Sequence, residues 1–588
     1  MNSRDSTNDS SSADPRPAAP WWTSAVVYQI YPRSFQDSDG DGIGDLRGVL
    51  QRIDHLVELG VDVVWFSPVY RSPQDDNGYD ISDYQDVDPI FGSLADLDEV
   101  VAALHARGMR VVMDLVVNHT SDEHPWFVES RGSKDNPKRD WYWWRSARPG
   151  FDGGAPGAEP TNWGSFFSGP TWEYDEATDQ YYLHLFSRKQ PDLNWENPEV
   201  REAVYAMMRW WIDRGIDGFR MDVINLISKV VAADGSLEDG PVADGRYGDL
   251  FPHSVNGPRL HEFLQEMHRE VFDGRRDTLL LVGETPGATV HDGKLFTDPA
   301  RHELDMIFTF EHMGLDHGPG GRFDRRPLDL LDLKATLSRW QTGLQAAGWN
   351  ALYWENHDQP RIVSRFGDDG LYRRESATML ATVLHLHRGT PYVYQGEELG
   401  MTNAHFAALA DYRDIESLRF ADEAGRLGHL TDEQILDGLT FGSRDNARTP
   451  VQWDATPGAG FTTGKPWLSI NPNHETVNAD AERRDAASVF HHYRRLIALR
   501  HDDDVVRHGD FELILADDPH VYAFTRSLDG RSLAVFANFT GDPRTVPVSF
   551  TATSDALVIG NYPDAPSSDS DTVSLRPWEA VVYRVTGA

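Results

Sequence analysis

The sequence predicts an α/β protein whose main part is a closed barrel of eight parallel strands, a (β/α)8 or TIM barrel. Short β-branched apolar runs alternate with amphipathic helices from residue 25 to residue 394, as in parallel sheets. A segment rich in Trp, Gly and Pro interrupts the alternation after the third strand and is too long for a bare loop. The end of the chain predicts a small antiparallel β-sandwich. An open doubly wound sheet is the alternative, and the count of eight strands favours the barrel.

The elements follow from apolar spacing and from capping residues. In the first helix Leu46, Val49 and Leu50 recur at helical spacing, and the second helix begins after Ser93 and ends before Gly108. The predicted helices are Leu46–Leu59, Leu94–Ala106, Val200–Ile212, Arg259–Val271, Leu328–Leu344 and Ala377–His387. The predicted strands are Ala25–Tyr31, Val61–Ser67, Met109–Val117, Gly218–Val223, Thr278–Gly283, Leu304–Phe310, Asn350–Trp354 and Pro391–Tyr394.

These patterns divide the chain into five parts. We predict a disordered polar tail over residues 1–20, the barrel over 21–119 and 190–505, an inserted irregular domain over 120–189, and the C-terminal sandwich over 506–588. The predicted sandwich strands are Phe511–Leu515, Val521–Ser527, Ser532–Asn538 and Val581–Val585.

Composition excludes several classes of function. The formal net charge of −38 leaves few cations to bind the phosphates of nucleic acid or an anionic membrane. The absence of Cys excludes disulfides, Cys-bound metals and thiol catalysis. Residues 1–20 do not resemble a secretion signal, and no apolar run reaches about 18 residues. We therefore expect a cytoplasmic protein, a monomer or weak homo-oligomer, without an organic cofactor.

Acidic and basic side chains collect at the C-terminal ends of the predicted strands, where barrels of this kind place their chemistry. Three carboxylates, two histidines and one arginine are expected to meet there, namely His119, Arg220, Asp222, Glu284, His357 and Asp358. Carboxyl groups so close together must differ in pKa. One ionised and one protonated carboxyl suit glycoside hydrolysis through a covalent intermediate. Arg220 lies two residues before Asp222 and is expected to keep it ionised.

These residues lie in segments that resemble the α-amylase family, glycoside hydrolase family 13. The segments are Asp114–His119 (DLVVNH), Gln190–Asn194 (QPDLN), Gly218–Asp222 (GFRMD), Val282–Glu284 (VGE), Glu355–Asp358 (ENHD) and Gly396–Met401 (GEELGM). The resemblance implies that Asp222 is the nucleophile, that Glu284 is the general acid and base, and that Asp358 is a third carboxylate that grips the sugar. It also implies a pair between Asp80 and Arg448 that closes the pocket behind the terminal glucose, and hence exo-action. The expected substrate-binding residues are Tyr79, Asp80, His119, Phe186, Arg220, Val223, His357 and Arg448.

The QPDLN segment resembles the oligo-1,6-glucosidase and α-glucosidase branch of this family. In that branch, Val at the position of Val223 accompanies α-1,6 preference, whereas Ala or Thr accompanies α-1,4 preference. Relatives that act on long dextrans carry Lys where this chain has Gly318. The resemblance thus implies hydrolysis of terminal α-1,6-linked glucose from isomaltose and short isomaltooligosaccharides, with transglucosylation. The alternatives are an α-1,4-glucosidase, a trehalose-6-phosphate hydrolase and, more remotely, a non-catalytic amylase-like binding protein.

One loop has the spacing of a calcium site. Asp37, Asp39, Asp41 and Asp45 occupy positions 1, 3, 5 and 9, and the backbone carbonyl of Ile43 occupies position 7. The Glu usual at position 12 is missing. Relatives in the branch bind a structural calcium ion at the matching loop, and we expect Ca²⁺ in this role here. An empty Asp-Gly turn is the alternative.

Overall fold

The structure is a computed structural model that describes residues 19–242, 245, 247–275, 278–550, 556–564, 568–569 and 571–586. Of the predicted tail, only residues 19 and 20 are among these. Within the described ranges, none of the helices combines the length and the apolar composition that crossing a bilayer requires.

Eight parallel strands, β1 to β8, form a closed barrel in chain order, which confirms the predicted architecture over the open sheet. They are β1 Val27–Ile30, β2 Val63–Phe66, β3 Arg110–Leu115, β4 Gly218–Met221, β5 Leu280–Glu284, β6 Met306–Phe308, β7 Asn350–Leu352 and β8 Thr390–Tyr394. Most are shorter than predicted, because apolar residues continue past the last ladder hydrogen bond into buried loops. The strand ends therefore meet at one rim.

Helices surround the barrel. They are α1 Leu46–Leu59, α2 Leu94–His105, α3 Pro198–Asp213, α4 Leu260–Met267, α5 Val290–Thr297, α6 Leu330–Gly343, α7 Arg373–Leu386 and α8 Val489–Asp502. α1 has the predicted bounds, because the side chain of Asp45 caps its first turn and Gly60, at φ 92°, ends it. The helix predicted over Arg259–Val271 is instead α4 followed by a π-helical turn at His268–Phe272. The sequence interpretation did not include α5, although Thr289 and Asp292 form a capping box at its start.

Residues 120–189 contain the helix Pro125–Gly132 and a small antiparallel sheet of Trp144–Arg145, Trp172–Asp175 and Gln180–Leu183. An apolar cluster in this segment includes Trp143, Trp163 and Trp172, and it extends to Val223. The inserted segment thus packs against the residue that follows Asp222.

Beyond β8 the chain forms the α-helices Ile415–Leu427, Asp432–Gly442, Asp445–Arg448 and Ala479–Arg484 before it reaches α8. The C-terminal region then forms two antiparallel sheets, as predicted. One contains Asp510–Ile514, Val521–Leu528, Arg531–Asn538, Leu557–Gly560 and Ala580–Thr586, and the other Arg544–Pro547, Ser568–Asp569 and Thr572–Leu575. An apolar cluster with members from both sheets, including Phe536 and Val573, forms the sandwich core.

Candidate active site

Asp222 and Glu284 lie beside each other at the C-terminal rim. Asp222 directly follows β4, and Glu284 is the last residue of the paired strand β5. Nη1 of Arg220 lies 2.6 Å from Oδ1 of Asp222, and its Nη2 lies 2.7 Å from Oε2 of Glu284. One buried guanidinium group therefore holds both carboxyl groups.

Asp114 fixes that guanidinium from within the barrel. Its Oδ1 lies 2.7 Å from Nη1 of Arg220. Its Oδ2 accepts hydrogen bonds from Nε1 of Trp65 at 3.1 Å and from the hydroxyl of Tyr79 at 3.0 Å. We call Arg220, Asp114, Asp222 and Glu284 the Arg220 cluster.

Burial controls the pKa values in the Arg220 cluster. It raises the pKa of Asp222 to about 7 and that of Glu284 to about 7, against the attraction of Arg220. It also raises the pKa of Asp114 to about 6. Arg220 lowers the pKa of Asp222, in the expected direction, but burial outweighs this effect and one cation is shared among three buried acids. The pKa values of Asp222 and Glu284 therefore both lie above the ordinary range of a carboxyl group.

Asp358 lies in a second ionic cluster, beyond the end of β7. Its Oδ1 lies 2.8 Å from Nη2 of Arg448 and 3.2 Å from Nη1 of Arg444. Arg444 also contacts Asp76 at 2.9 Å and Asp414 at 2.6 Å. We call Arg444, Arg448, Asp76, Asp358 and Asp414 the Arg444/Arg448 cluster.

In the Arg444/Arg448 cluster, the cations lower the pKa of two of the three acids by more than burial raises it. Burial raises the pKa of Asp358, but His357, Arg444 and Arg448 together hold it well below its usual range. Arg444 and Arg448 similarly lower the pKa of Asp414 to about 2 despite its burial. Asp358 is therefore ionised at neutral pH.

The predicted pair between Asp80 and Arg448 is wrong. Asp80 is fully buried and accepts hydrogen bonds from Oγ of Ser72, at 2.9 Å, and from two backbone N–H groups of its own turn. The neighbouring acid Asp76 pairs with Arg444 instead. The turn of Tyr79 contains three acids, Asp75, Asp76 and Asp80, and the segment Ser443–Pro450 (SRDNARTP) contains two arginines. Sequence spacing therefore could not decide between the possible pairs.

Aromatic rings line up beside the two clusters. The ring of Tyr79 stacks on that of His357 at 5.0 Å with an interplanar angle of 4°. The ring of His119 lies 5.2 Å from that of Phe186. Burial lowers the pKa of His119 to about 4 and also lowers that of His357. The imidazole of His119 is therefore neutral at pH 7, as suits hydrogen bonding to sugar hydroxyls.

Val223 has a strained backbone. Its φ of 36° and ψ of 39° are left-handed, which is rare for a β-branched residue. In this conformation its N–H donates to Oε2 of Glu284 at 3.0 Å. Among the described residues, Arg220 thus contacts Oδ1 of Asp222, and Arg220 and the N–H of Val223 contact Oε2 of Glu284. Oδ2 of Asp222 and Oε1 of Glu284 are therefore available for reaction.

The loop Asp37–Asp45 brings three acids together. Carboxylate oxygens of Asp37, Asp39 and Asp45 lie within 4.8 Å of one another. Two ligands of one calcium ion lie at most about 5 Å apart, so this set fits a hard divalent cation. Asp41 is not in this group, and its Oδ1 accepts a hydrogen bond from the N–H of Ile43 at 2.7 Å. The roles of Asp41 and of the Ile43 carbonyl as ligands stay predictions.

A family model for the catalytic domain of alpha amylase matches residues 29–509. The chain belongs to the α-amylase family. Membership confirms the resemblance seen in the motifs, and with it the glycoside hydrolase class. An oligo-1,6-glucosidase of Parageobacillus thermoglucosidasius is 55% identical over 568 residues, which are 96% of this chain and 99% of that protein.

Other similar members of the α-amylase family have different names. A trehalose-6-phosphate hydrolase of Bacillus subtilis (strain 168) is 48% identical, over 96% of this chain and 98% of that protein. The crystal structure of the trehalulose synthase MutB from Pseudomonas mesoacidophila MX-45 matches with a TM-score of 0.90 at 44% identity, over 97% of this chain and all of that chain.

Four members of the two clusters were not predicted from the sequence, namely Asp76, Asp114, Asp414 and Arg444. Asp114 and Arg444 lie inside the segments DLVVNH and SRDNARTP, and Asp76 directly precedes Asn77 in the turn of Tyr79. Their acidic or basic character within those segments was the available signal. Asp414 lies in no such segment, and only the fold brings it to Arg444 and Arg448.

Proposed function

We propose that the protein is a retaining, exo-acting α-glucosidase that hydrolyses terminal α-1,6-linked glucose from isomaltose and short isomaltooligosaccharides. The contact of Arg220 with both Asp222 and Glu284 carries this proposal. A retaining mechanism needs two carboxyl groups about 5–5.5 Å apart, whereas an inverting one needs a wider gap that admits water. Carboxyl groups that share one guanidinium suit the narrower arrangement.

The proposed reaction has two steps. Oδ2 of Asp222 attacks the anomeric carbon, while Glu284 donates a proton from Oε1 to the departing oxygen. Glu284, now ionised, then takes a proton from water, whose oxygen attacks the same carbon and releases Asp222. During the first step the negative charge passes from Asp222 to Glu284, and both positions lie against Arg220. The stabilising ion contact is thus kept throughout.

The Arg444/Arg448 cluster supports exo-action. Arg444 joins Asp76 to Asp358, and all three side chains are largely buried. We propose that this cluster closes the pocket behind the terminal glucose, that Asp358 grips its hydroxyls, and that Tyr79 is its stacking platform. A substrate chain then enters only by its non-reducing end.

Two residues and one relative support the proposed preference for α-1,6 linkages and for short substrates. Val223 lies beside the proposed aglycone site, where side-chain shape discriminates by about 1–3 kcal/mol. At Gly318 a Cβ atom would lie 2.4 Å from Oδ2 of Asp324, so the lysine expected of enzymes that act on dextran does not fit without a shift. Oligo-1,6-glucosidase is the name of a relative 55% identical to this chain.

A linkage panel tests the proposal. Isomaltose should be hydrolysed with a higher kcat/KM than maltose or trehalose-6-phosphate, and NMR should show α-glucose as the first product. Preference for maltose would favour the α-1,4-glucosidase, and preference for trehalose-6-phosphate would favour the hydrolase of that name. β-Glucose as the first product would reject the retaining mechanism. At high isomaltose concentration we expect transglucosylation, since a sugar hydroxyl then competes with water.

We also propose that the loop Asp37–Asp45 holds a structural Ca²⁺ ion, with Asp37, Asp39 and Asp45 supplying carboxylate oxygens. Chelation should lower the Tm, and added Ca²⁺ should restore it. The variant Asp39→Asn should show a smaller chelator effect than the wild type, and an equal effect would contradict the site. The cytoplasmic location and the monomeric or weakly oligomeric state stay predictions of the sequence.

A further inference from the structure

Ser34 lies outside the segments that carry the proposed chemistry, yet it contacts one of them. It is fully buried at the end of the short 3-10 helix Pro32–Ser34 that follows β1. Its Oγ donates to the backbone carbonyl of Arg448 at 2.6 Å and accepts a hydrogen bond from Nε1 of Trp467 at 3.0 Å. Its own carbonyl accepts from the N–H of Val451 at 2.9 Å. Ser34 thus holds the backbone at Arg448 and at Val451, on the two sides of Thr449 and Pro450.

The side chain of Arg448, whose backbone Ser34 holds, contacts two residues of the pocket. Its Nε donates to the carbonyl of His357 at 2.9 Å, and its Nη2 donates to Oδ1 of Asp358 at 2.8 Å. The guanidinium can keep these partners in place only while its own backbone stays in place. A displacement of about 1 Å in a catalytic arrangement can cost a hundredfold in rate.

We propose that Ser34, oriented by Trp467, is a positioning residue that fixes Arg448 and, through it, Asp358 and the His357 carbonyl. The inference rests on the proposed function, because Asp358 is assigned there to the sugar. Loss of the Ser34 hydroxyl leaves the Arg448 carbonyl and the Trp467 indole without their buried partner. The segment around Arg448 then shifts to recover hydrogen bonds.

The chain offers a closely matched control for Ser34. Ser130 is also fully buried, and its Oγ likewise accepts from a tryptophan Nε1, that of Trp144, and donates to an arginine carbonyl, that of Arg139. This second serine lies in the helix Pro125–Gly132 of the inserted segment. The two variants Ser34→Ala and Ser130→Ala therefore remove the same kind of hydrogen bonds.

The test combines this pair with a double-mutant cycle. Both variants should lower the Tm by similar amounts, but Ser34→Ala should lower kcat/KM on isomaltose about tenfold, and Ser130→Ala less than about twofold. In an Arg448→Lys background the additional loss from Ser34→Ala should fall below about twofold, because the two residues act through one path. Equal kinetic losses for the two serines, or an undiminished loss in that background, would overturn the proposal.

Two further measurements cover other outcomes. If Ser34→Ala does not fold, Trp467→Phe keeps an aromatic ring but removes the indole donor, and kcat/KM should fall about threefold. A crystal structure of whichever variant folds gives a result independent of activity, since Arg448 and Asp358 should be displaced. Unmoved side chains would reject the positioning role even in an active enzyme. A wild type that cleaves no glucoside would instead reject the proposed function.

Discussion

The two ionic clusters of the pocket balance their charges in opposite ways. In the Arg220 cluster one guanidinium serves three buried acids, whose pKa values rise to about 6 or 7. In the Arg444/Arg448 cluster two guanidinium groups serve three acids. There the pKa of Asp358 falls well below its usual range, and that of Asp414 falls to about 2. The ratio of cations to acids, more than burial alone, distinguishes the two clusters.

This difference in pKa gives the two clusters different roles toward the sugar. Acids that titrate near neutral pH can give and take protons, as the cleavage step requires. Acids that stay ionised supply fixed acceptors for hydroxyl groups. Asp76 is intermediate, because burial raises its pKa to about 6 although Arg444 and Arg448 oppose this.

Substitution of Asp222 tests the proton-exchanging side most severely. Asp222→Asn removes the proposed nucleophile but keeps its shape, and kcat on isomaltose should fall by about 10⁴-fold or more. Steady-state assays with purified protein check this. A variant that keeps a tenth of the activity would exclude the covalent route through Asp222.

The control for that experiment is Glu284→Gln. An aryl glucoside with an acidic leaving group does not need protonation, so this variant should lose less activity on the aryl substrate than on isomaltose. Asp222→Asn should lose activity equally on both. The reverse pattern would exchange the two assigned roles.

The two arginine sites should respond differently to lysine. Lysine cannot donate in a fork to two carboxyl groups, so Arg220→Lys should lower kcat by about 10²–10³-fold. Arg444→Lys keeps a charge near Asp76 and Asp358, and it should mainly raise KM, by about tenfold. Michaelis–Menten analysis on isomaltose separates the two effects. Equal losses of kcat in both variants would remove the functional distinction between the clusters.

Much of the fold and part of the site could be predicted from the sequence. The barrel follows from local apolar periodicity, and the bounds of α1 follow from Asp45 and Gly60, which act within a few residues of the helix. The meeting of Asp222, Glu284 and Asp358 follows from their places after successive barrel strands. Each of these inferences uses information that is local in the chain.

The pairing of charges could not be predicted in this way. Arg444 pairs with Asp76, which is 368 residues away in the chain. The alternative pair of Asp80 and Arg448 has the same separation in the chain, so separation cannot distinguish the two pairs. The raised pKa of Asp222 depends on how many acids share Arg220, which requires the three-dimensional arrangement. The contact of Ser34 with the Arg448 carbonyl has no sequence signal, because any buried serine could make such a bond.

The smallest effect we predict concerns the pH dependence of stability. This dependence has opposite signs at Asp222 and at Asp358. The raised pKa of Asp222 means that its contribution to stability is present at pH values below its ordinary pKa and is lost as the pH rises through about 7. The lowered pKa of Asp358 means that its contribution is present above its ordinary pKa and is lost only in acid. Between pH 5 and pH 8 the wild type therefore loses stability at Asp222 but not at Asp358.

Asn variants at both positions should reveal this contrast in Tm. Relative to the wild type, Asp222→Asn should gain on the order of 1–3 °C between pH 5 and pH 8, since it no longer carries a buried charge at the higher pH. Asp358→Asn should be less stable than the wild type by a similar amount at both pH values, because Arg444 and Arg448 lose a partner. Parallel pH dependence in the two variants would show that the clusters do not differ in protonation, and the proton would then have to be supplied by another group.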